Sequence, residues 1–202
     1  MTNSWHDRFS ADEYVYGKEP NHFVMEAAPV LTGGKVLCIA EGEGRNAVYL
    51  ASRGLDVTAW DFAPAGLEKT QRLAGEKGVQ VHTELHDLAE VDWQAEEWDA
   101  IVHVFGHVPP AVLERTLTGI KKALKPGGVY ISELYTKEQL TYGTGGPRDE
   151  LLLIDPIQLL QAFDGYFIKH FHVGEVHREE GKLHTGTAHV VQSIFRKREG
   201  TL

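Results

Sequence analysis

The 202-residue chain predicts an α/β fold, a doubly wound and mostly parallel sheet of seven strands closed by a C-terminal antiparallel hairpin. Three observations carry this. Apolar strand-like runs alternate with helical stretches from residue 36 to residue 135, the pattern of successive βα units. The first run, Val36 to Ile39, passes at once through Gly42-x-Gly44 into a helix, the opening unit of an open α/β sheet whose ligands settle at the carboxyl ends of its strands. Near the C-terminus two β-prone stretches, Phe167 to Arg178 and His184 to Lys197, flank Glu179-Glu-Gly-Lys182, where a glycine suits a tight reversal.

The elements follow in order. Residues 5 to 20 are aromatic and irregular, and such a segment must pack on something; the sheet end that holds the ligand is the expected surface. Asn21 caps a helix to Leu31 with Phe23, Val24, Ala27 and Ala28 on one face, so residues 1–34 form an N-terminal cap segment. A helix from Arg45 to Arg53 stops at Gly54, and a second strand runs from Leu55 to Asp61. Pro64 opens a helix to Lys77 that Gly78 closes. Val79–Leu85 and Asp99–Phe105 read as the third and fourth strands, and Pro110–Leu124 as a helix with Leu113, Leu117, Ile120 and Leu124 in register. Lys125-Pro-Gly-Gly128 predicts a sharp turn into a fifth strand, Val129–Tyr135. Alternation then lapses over Thr136–Leu153, a glycine-rich loop too long to be a minimal connection. With the helix Asp155–Phe163 it makes residues 136–163 the expected substrate side of a single domain spanning 1–202. Arg196 to Leu202 reads as a solvated tail.

Composition narrows the function. A formal net charge of −9 argues against a nucleic-acid surface, because phosphate contacts need a basic face. No apolar run approaches a membrane span, and the first residues lack the apolar core of a signal peptide. Cys38 is the sole cysteine and lies inside the first strand, which suits a buried thiol, a reducing compartment and a cytoplasmic protein. Eleven histidines invite a metal reading, but without cysteine pairs or a His-Glu-x-x-His motif no metal is expected. The oligomeric state stays open.

The glycines allow the backbone to approach a ligand, and the helix start behind them offers unpaired N–H groups. Asp61 closes the second strand, where a carboxylate accepts hydrogen bonds from the hydroxyls of a ribose. A nicotinamide dinucleotide and S-adenosylmethionine both carry that ribose, and these features alone do not choose between them. An acidic pocket of Glu41, Asp61 and Asp87 favours a cationic sulfonium over a pyrophosphate.

Several longer segments resemble the class I S-adenosylmethionine-dependent methyltransferases. They are Val36-Leu-Cys-Ile-Ala-Glu-Gly-Glu-Gly44, Asp61, His86-Asp87-Leu88, Trp98-Asp-Ala-Ile-Val-His-Val-Phe-Gly-His107 and Leu124-Lys-Pro-Gly-Gly128. Gly44-Arg-Asn-Ala-Val-Tyr-Leu-Ala51, Ala59-Trp-Asp61 and Val173-Gly-Glu-Val-His-Arg178 are most similar to the tellurite-resistance and thiopurine-type members, which act on small molecules. The resemblance implies S-adenosyl-L-methionine as cofactor, bound by Tyr16, Glu41, Gly42, Gly44, Asn46, Asp61, Phe62, Asp87, Leu88 and Phe105. It implies a small-molecule acceptor, with a thiol or a metalloid oxyanion of tellurite or selenite type in view. Where the family usually has an acid and a glycine, this chain has Cys38 and Ala40, and Glu41 is the candidate to supply the carboxylate for the methionine ammonium.

Methyl transfer is an in-line displacement, so the protein's task is to hold the acceptor behind the methyl group and exclude water. A soft anion needs little base catalysis, whereas an alcohol or amine needs a residue to take its proton. His107, His177 and Arg178 are the expected catalytic groups, with Tyr142 and Arg148 in the glycine-rich loop as further acceptor-side candidates. The competing readings are an NAD(P)-dependent oxidoreductase and a non-catalytic cofactor-binding protein.

Overall fold

The computed structural model describes residues 4–181 and 184–200. Its seven strands are β1 (Lys35–Ile39), β2 (Asp56–Asp61), β3 (His82–Leu85), β4 (Trp98–Val104), β5 (Leu124–Tyr135), β6 (Phe167–Glu180) and β7 (His184–Arg196). They form one sheet in the order β3-β2-β1-β4-β5-β7-β6. β1 to β5 pair in parallel, and β7 inserts antiparallel between β5 and β6. The chain steps outward from β1 to β3 and then returns to place β4 on the other side of β1. That reversal leaves a crevice at the carboxyl ends of β1 and β4, where ligands of open α/β sheets bind.

Both faces of β1 are apolar because both are covered. Val36 and Cys38 face a core shared with α2 (His22–Ala27), α3 (Arg45–Ser52) and α4 (Pro64–Lys77). Leu37 and Ile39 face a second core, shared with α5 (Pro110–Ala123) and α6 (Pro156–Ala162). Burial pushes the Cys38 thiol well above its usual range, so it is inert packing.

Some elements depart from expectation. The aromatic N-terminal segment begins with a short helix, α1 (Ser4–Phe9), whose Phe9 packs with Ala63 and Ala65 at the start of α4. The helix from Asn21 turns 3-10 at Ala28–Val30, because Pro29 has no N–H to continue the ladder. The turn expected at Lys125-Pro-Gly-Gly128 lies inside β5 instead. Leu124 already pairs with Trp98, the register shifts before Ala100 meets Val129, and Gly127 takes φ +77° in the resulting irregularity. The loop after β5 carries two 3-10 turns, Lys137–Thr141 and Glu150–Leu152. Lys182 of the predicted reversal, and Thr201 and Leu202 of the predicted tail, lie outside the described residues, as do residues 1–3 and 183.

Candidate active site

The loop after β1 is built around left-handed backbone. Ala40, Gly42 and Gly44 have φ of +49°, +64° and +90°. At Gly44 any Cβ would fall 2.5 Å from Thr70 Oγ1, so only glycine fits. Two carboxylates organise the loop. Glu41 Oε1 accepts the N–H groups of Asn46 and Ala47 at 2.9 and 2.8 Å, satisfying otherwise orphaned donors in the first turn of α3. Asp61, at the tip of β2, accepts the Gly42 N–H with Oδ2 and the Ala63 N–H with Oδ1, both at 2.8 Å. Burial pushes the Glu41 carboxyl up to about 7, against the pull of those N–H groups and Arg45. Burial likewise raises Asp61. Glu41 Oε1 uses both lone pairs on the Asn46 and Ala47 N–H groups, so Oε2 is the Glu41 oxygen left for a ligand donor, and Asp61 Oδ2, with the Gly42 N–H as its partner, keeps room for another.

Around this loop, Phe62 at the end of β2 is 40% exposed and Leu85 at the end of β3 is 60% exposed, while Leu88 is buried. Asp87 lies beside them, exposed, with Oδ1 accepting the Ala89 N–H at 2.9 Å. These side chains offer an apolar flank and a carboxylate at the β2–β3 end. Asn46 is buried and its Oδ1 accepts the Asn21 N–H at 2.9 Å, so that oxygen ties α3 to the N-terminal cap. Glu43, between the two loop glycines, is buried in an ion pair with Lys69 at 2.7 Å. It also accepts the N–H groups of Val15 and Tyr16 at 3.2 Å. The segment before α2 is thus strapped directly to the glycine loop.

Beyond β4 the chain enters a second, aromatic compartment. Phe105 takes φ +53°, an uncommon conformation for an aromatic residue and one found where surroundings over-determine the backbone. Its ring stacks on Tyr135 at 4.5 Å, and the Arg178 guanidinium lies 4.6 Å from its centre. Arg178 is buried, ion-paired to Glu133 at 3.1 Å, and donates to the Tyr135 hydroxyl at 3.3 Å. A second buried pair, Arg45–Glu180 at 2.7 Å, joins the first through Asn21 Nδ2, which donates to Glu133 at 3.1 Å and Glu180 at 3.2 Å. His184 completes the compartment. Its ring is 4.5 Å from Tyr16, 4.8 Å from Phe105 and 5.7 Å from Tyr135.

The three expected catalytic groups are not brought together. Successive strand residues point to opposite faces, so Arg178 is buried while His177 is exposed on the other side of β6. His107 is committed at both nitrogens: Nδ1 donates to the Leu152 carbonyl at 2.8 Å and Nε2 accepts the Tyr135 N–H at 3.3 Å. Burial lowers it to about 4, so it is a neutral pin for the 150–152 turn rather than a proton carrier. Tyr142 donates to Glu175 at 2.6 Å, and Arg148 is exposed on the loop. His184 is a residue of this compartment that the sequence did not single out. The usable signal was hairpin register: His184 lies opposite Glu180, two residues from Arg178, and therefore shares their face.

Residues 36–128 match the family model described as a methyltransferase domain. YbaJ of Bacillus subtilis (strain 168), an uncharacterized methyltransferase, is 33% identical over 108 residues, covering 52% of this chain and 41% of that protein. TehB of Haemophilus influenzae, a probable S-adenosyl-L-methionine-dependent methyltransferase, is 33% identical over 79 residues, 39% of this chain and 27% of that protein. The chain therefore spans less than half the length of these relatives. The crystal structure of TehB superposes with a TM-score of 0.71 at 20% identity, covering 89% of this chain and 63% of that one, a likeness of fold. The motif-bearing segment, the sheet order and these relatives agree: residues 36–128 match a methyltransferase domain, and the chain resembles the class I S-adenosylmethionine-dependent methyltransferases.

Proposed function

We propose that the protein transfers a methyl group to a small-molecule acceptor that arrives as a soft anion, a thiolate or a metalloid oxyanion of tellurite or selenite type. The observation that carries this is the strap at the switch point of the sheet, where Glu43 of the glycine loop accepts the Tyr16 N–H and Tyr16 in turn packs on His184 of the aromatic, arginine-bearing box around Phe105. The residues suit S-adenosylmethionine: Gly42 and Gly44 for close backbone approach, Asp61 for ribose hydroxyls, Glu41 for the ammonium, and Phe62, Asp87 and Leu88 for the adenine. When bound, the cofactor supplies an electrophilic methyl group on a sulfonium. Phe105, Tyr135 and Tyr16 exclude water from the acceptor, and Arg178, paired with Glu133, sets a guanidinium over the Phe105 ring.

The acceptor class follows from the basicity of the nearby histidines. Burial holds His107 at about 4 and, together with Arg45 and Arg178, His184 at about 2. His103 is also held at about 4 by burial, with Nε2 donating to the Gly106 carbonyl and Nδ1 facing the Tyr130 hydroxyl. All three are poor proton acceptors, so an acceptor that is already ionised fits better than an alcohol or amine. The buried Cys38 thiol suits a reducing compartment, and the cytoplasm is the proposed location. Among the described residues no helix is long and apolar enough to cross a membrane.

Calorimetry with adenosylhomocysteine and NAD, followed by a methyl-transfer screen, tests the proposal. Adenosylhomocysteine binds and NAD does not; thiols, selenite or tellurite are methylated ahead of amines and hydroxylated compounds. NAD binding instead would make the chain an oxidoreductase candidate. Cofactor binding without transfer to any acceptor would make it a non-catalytic binder.

A further inference from the structure

We propose that His184 recognises the acceptor, its Nδ1–H donating a hydrogen bond to an anionic oxygen or sulfur held between the rings of Tyr16, Phe105 and Tyr135. The inference rests on the methyltransferase reading above and adds the residue and the atom that read the acceptor.

His184 is only 6% exposed, and its Nδ1 has no hydrogen-bond partner among the described residues. Buried polar atoms are nearly always satisfied, and those that are not call for an explanation. Not every enclosed histidine is left so: His103 and His107 use both ring nitrogens, and the other imidazole nitrogen without a partner among the described residues, His170 Nε2, lies away from the glycine loop on β6. The orphan atom lies where three chain segments meet. Phe105 comes from the end of β4, Tyr135 from the end of β5, and Tyr16 from the strap fastened to Glu43 of the glycine loop. The last link places the ring box against the cofactor loop, where an acceptor must sit.

The surroundings select the charge of the ligand. Arg178 lies over the same Phe105 ring that His184 touches edge-on. After burial itself, the charges that act most on His184 are Arg45 and Arg178, followed by His107 and Arg8. Each arginine is paired with a buried glutamate, Glu180 or Glu133, yet it is the guanidiniums that act most on His184. An anion beside it therefore gains from them, and a neutral imidazole gives it a donor without another buried charge to desolvate. The aromatic walls suit a polarisable atom such as sulfur, selenium or tellurium.

Three substitutions separate the hydrogen bond from the packing. His184→Phe keeps an aromatic ring without nitrogen. His184→Asn sets an amide nitrogen near the Nδ1 position, and His184→Gln sets one near Nε2. Adenosylhomocysteine affinity and melting temperature, measured on each, establish that the fold and cofactor site persist. With a thiol or selenite as acceptor, KM rises about ten- to a hundredfold in the Phe and Gln variants, the loss of one hydrogen bond to a charged group, and Asn recovers most of it. A second readout needs no turnover. In wild-type protein saturated with adenosylhomocysteine and labelled with 15N-histidine, titration with selenite, tellurite or thiophenolate shifts the His184 Nδ1 resonance saturably. An unchanged KM in His184→Phe, rescue by Gln rather than Asn, or a His184 signal that none of the three anions moves would overturn the proposal. Failure of adenosylhomocysteine to bind the wild type would instead overturn the methyltransferase reading beneath it.

Discussion

Glu41 is predicted to destabilise the ligand-free protein at neutral pH, and Glu41→Gln to relieve that cost. The carboxyl is pushed from 4.5 to about 7, first by burial and, among smaller causes, by Asp61. Between those values the unfolded chain has released the proton while the folded chain retains it. Stability therefore falls as pH rises through that window and levels off above about 7. At about 1.4 kcal/mol per pH unit the window is worth roughly 3 kcal/mol as an upper bound. The side chain keeps partial access to water, so screening reduces this to about 1–2 kcal/mol. Glutamine retains the Oε1 acceptor for the Asn46 and Ala47 N–H groups, so the α3 start survives the change. Urea unfolding at pH 8 should show the ligand-free variant more stable than wild type by that amount, with the difference gone at pH 5. Saturating adenosylhomocysteine should reverse the order at pH 8 if Glu41 holds the ammonium. A variant that is less stable than wild type by the same margin at pH 5 and pH 8 would refute the reasoning, since the loss would then come from packing rather than ionisation.

Three further outcomes follow from the same geometry. Gly44→Ala forces a Cβ to within 2.5 Å of Thr70 at φ +90°, and should cost about 2–4 kcal/mol in urea unfolding and abolish adenosylhomocysteine binding in calorimetry. Ala40→Gly relieves a left-handed alanine worth about 1–2 kcal/mol and adds unfolded-chain entropy of about 0.5–1 kcal/mol, so unfolding should show a gain of up to about 1 kcal/mol. Glu180→Gln leaves the buried Arg45 guanidinium without its counter-ion, and should cost about 3–5 kcal/mol, read as a lowered melting temperature.

The geometry of the loop proposed to hold the cofactor was legible because its signals are local. A short apolar run, two glycines and a strand-terminal acid occupy neighbouring positions, and each has a backbone reason that sequence alone exposes. The left-handed φ at Ala40 explains why a glycine is the usual choice there. The proposed acceptor side was less legible because it is assembled across more than a hundred residues. Tyr16 and His184 are 4.5 Å apart in space, and only the hairpin register and the strap joined to Glu43 bring them together. Strand alternation was available to separate His177 from Arg178, but adjacency in sequence masked it. Burial holds His107 neutral, and its partner comes from outside its own segment: the Leu152 carbonyl that accepts from it lies near the end of the glycine-rich loop.

The division between the two sides has a physical logic. The matched methyltransferase model ends at Gly128, whereas Tyr135, Arg178, Glu180 and His184 all lie beyond it. The first part needs only backbone geometry and two carboxylates, which any chain handling the same cofactor can reuse. The second part holds Arg178, Glu133 and Glu180 almost dry, with Arg45 of α3 reaching across to pair with Glu180, Asn21 of the N-terminal cap bridging the two glutamates, and Gln192 donating to Glu133 at 2.6 Å. Paired buried charges contribute little net stability, because desolvation offsets their attraction, but breaking one pair is costly. Such a network therefore fixes position more than it stabilises. It sets Arg178 over Phe105 and joins the hairpin to α3 through Arg45. Replacing Glu133 and Arg178 together by leucine and methionine tests this division: the fold should survive, cofactor binding should persist, and discrimination among acceptors should be lost.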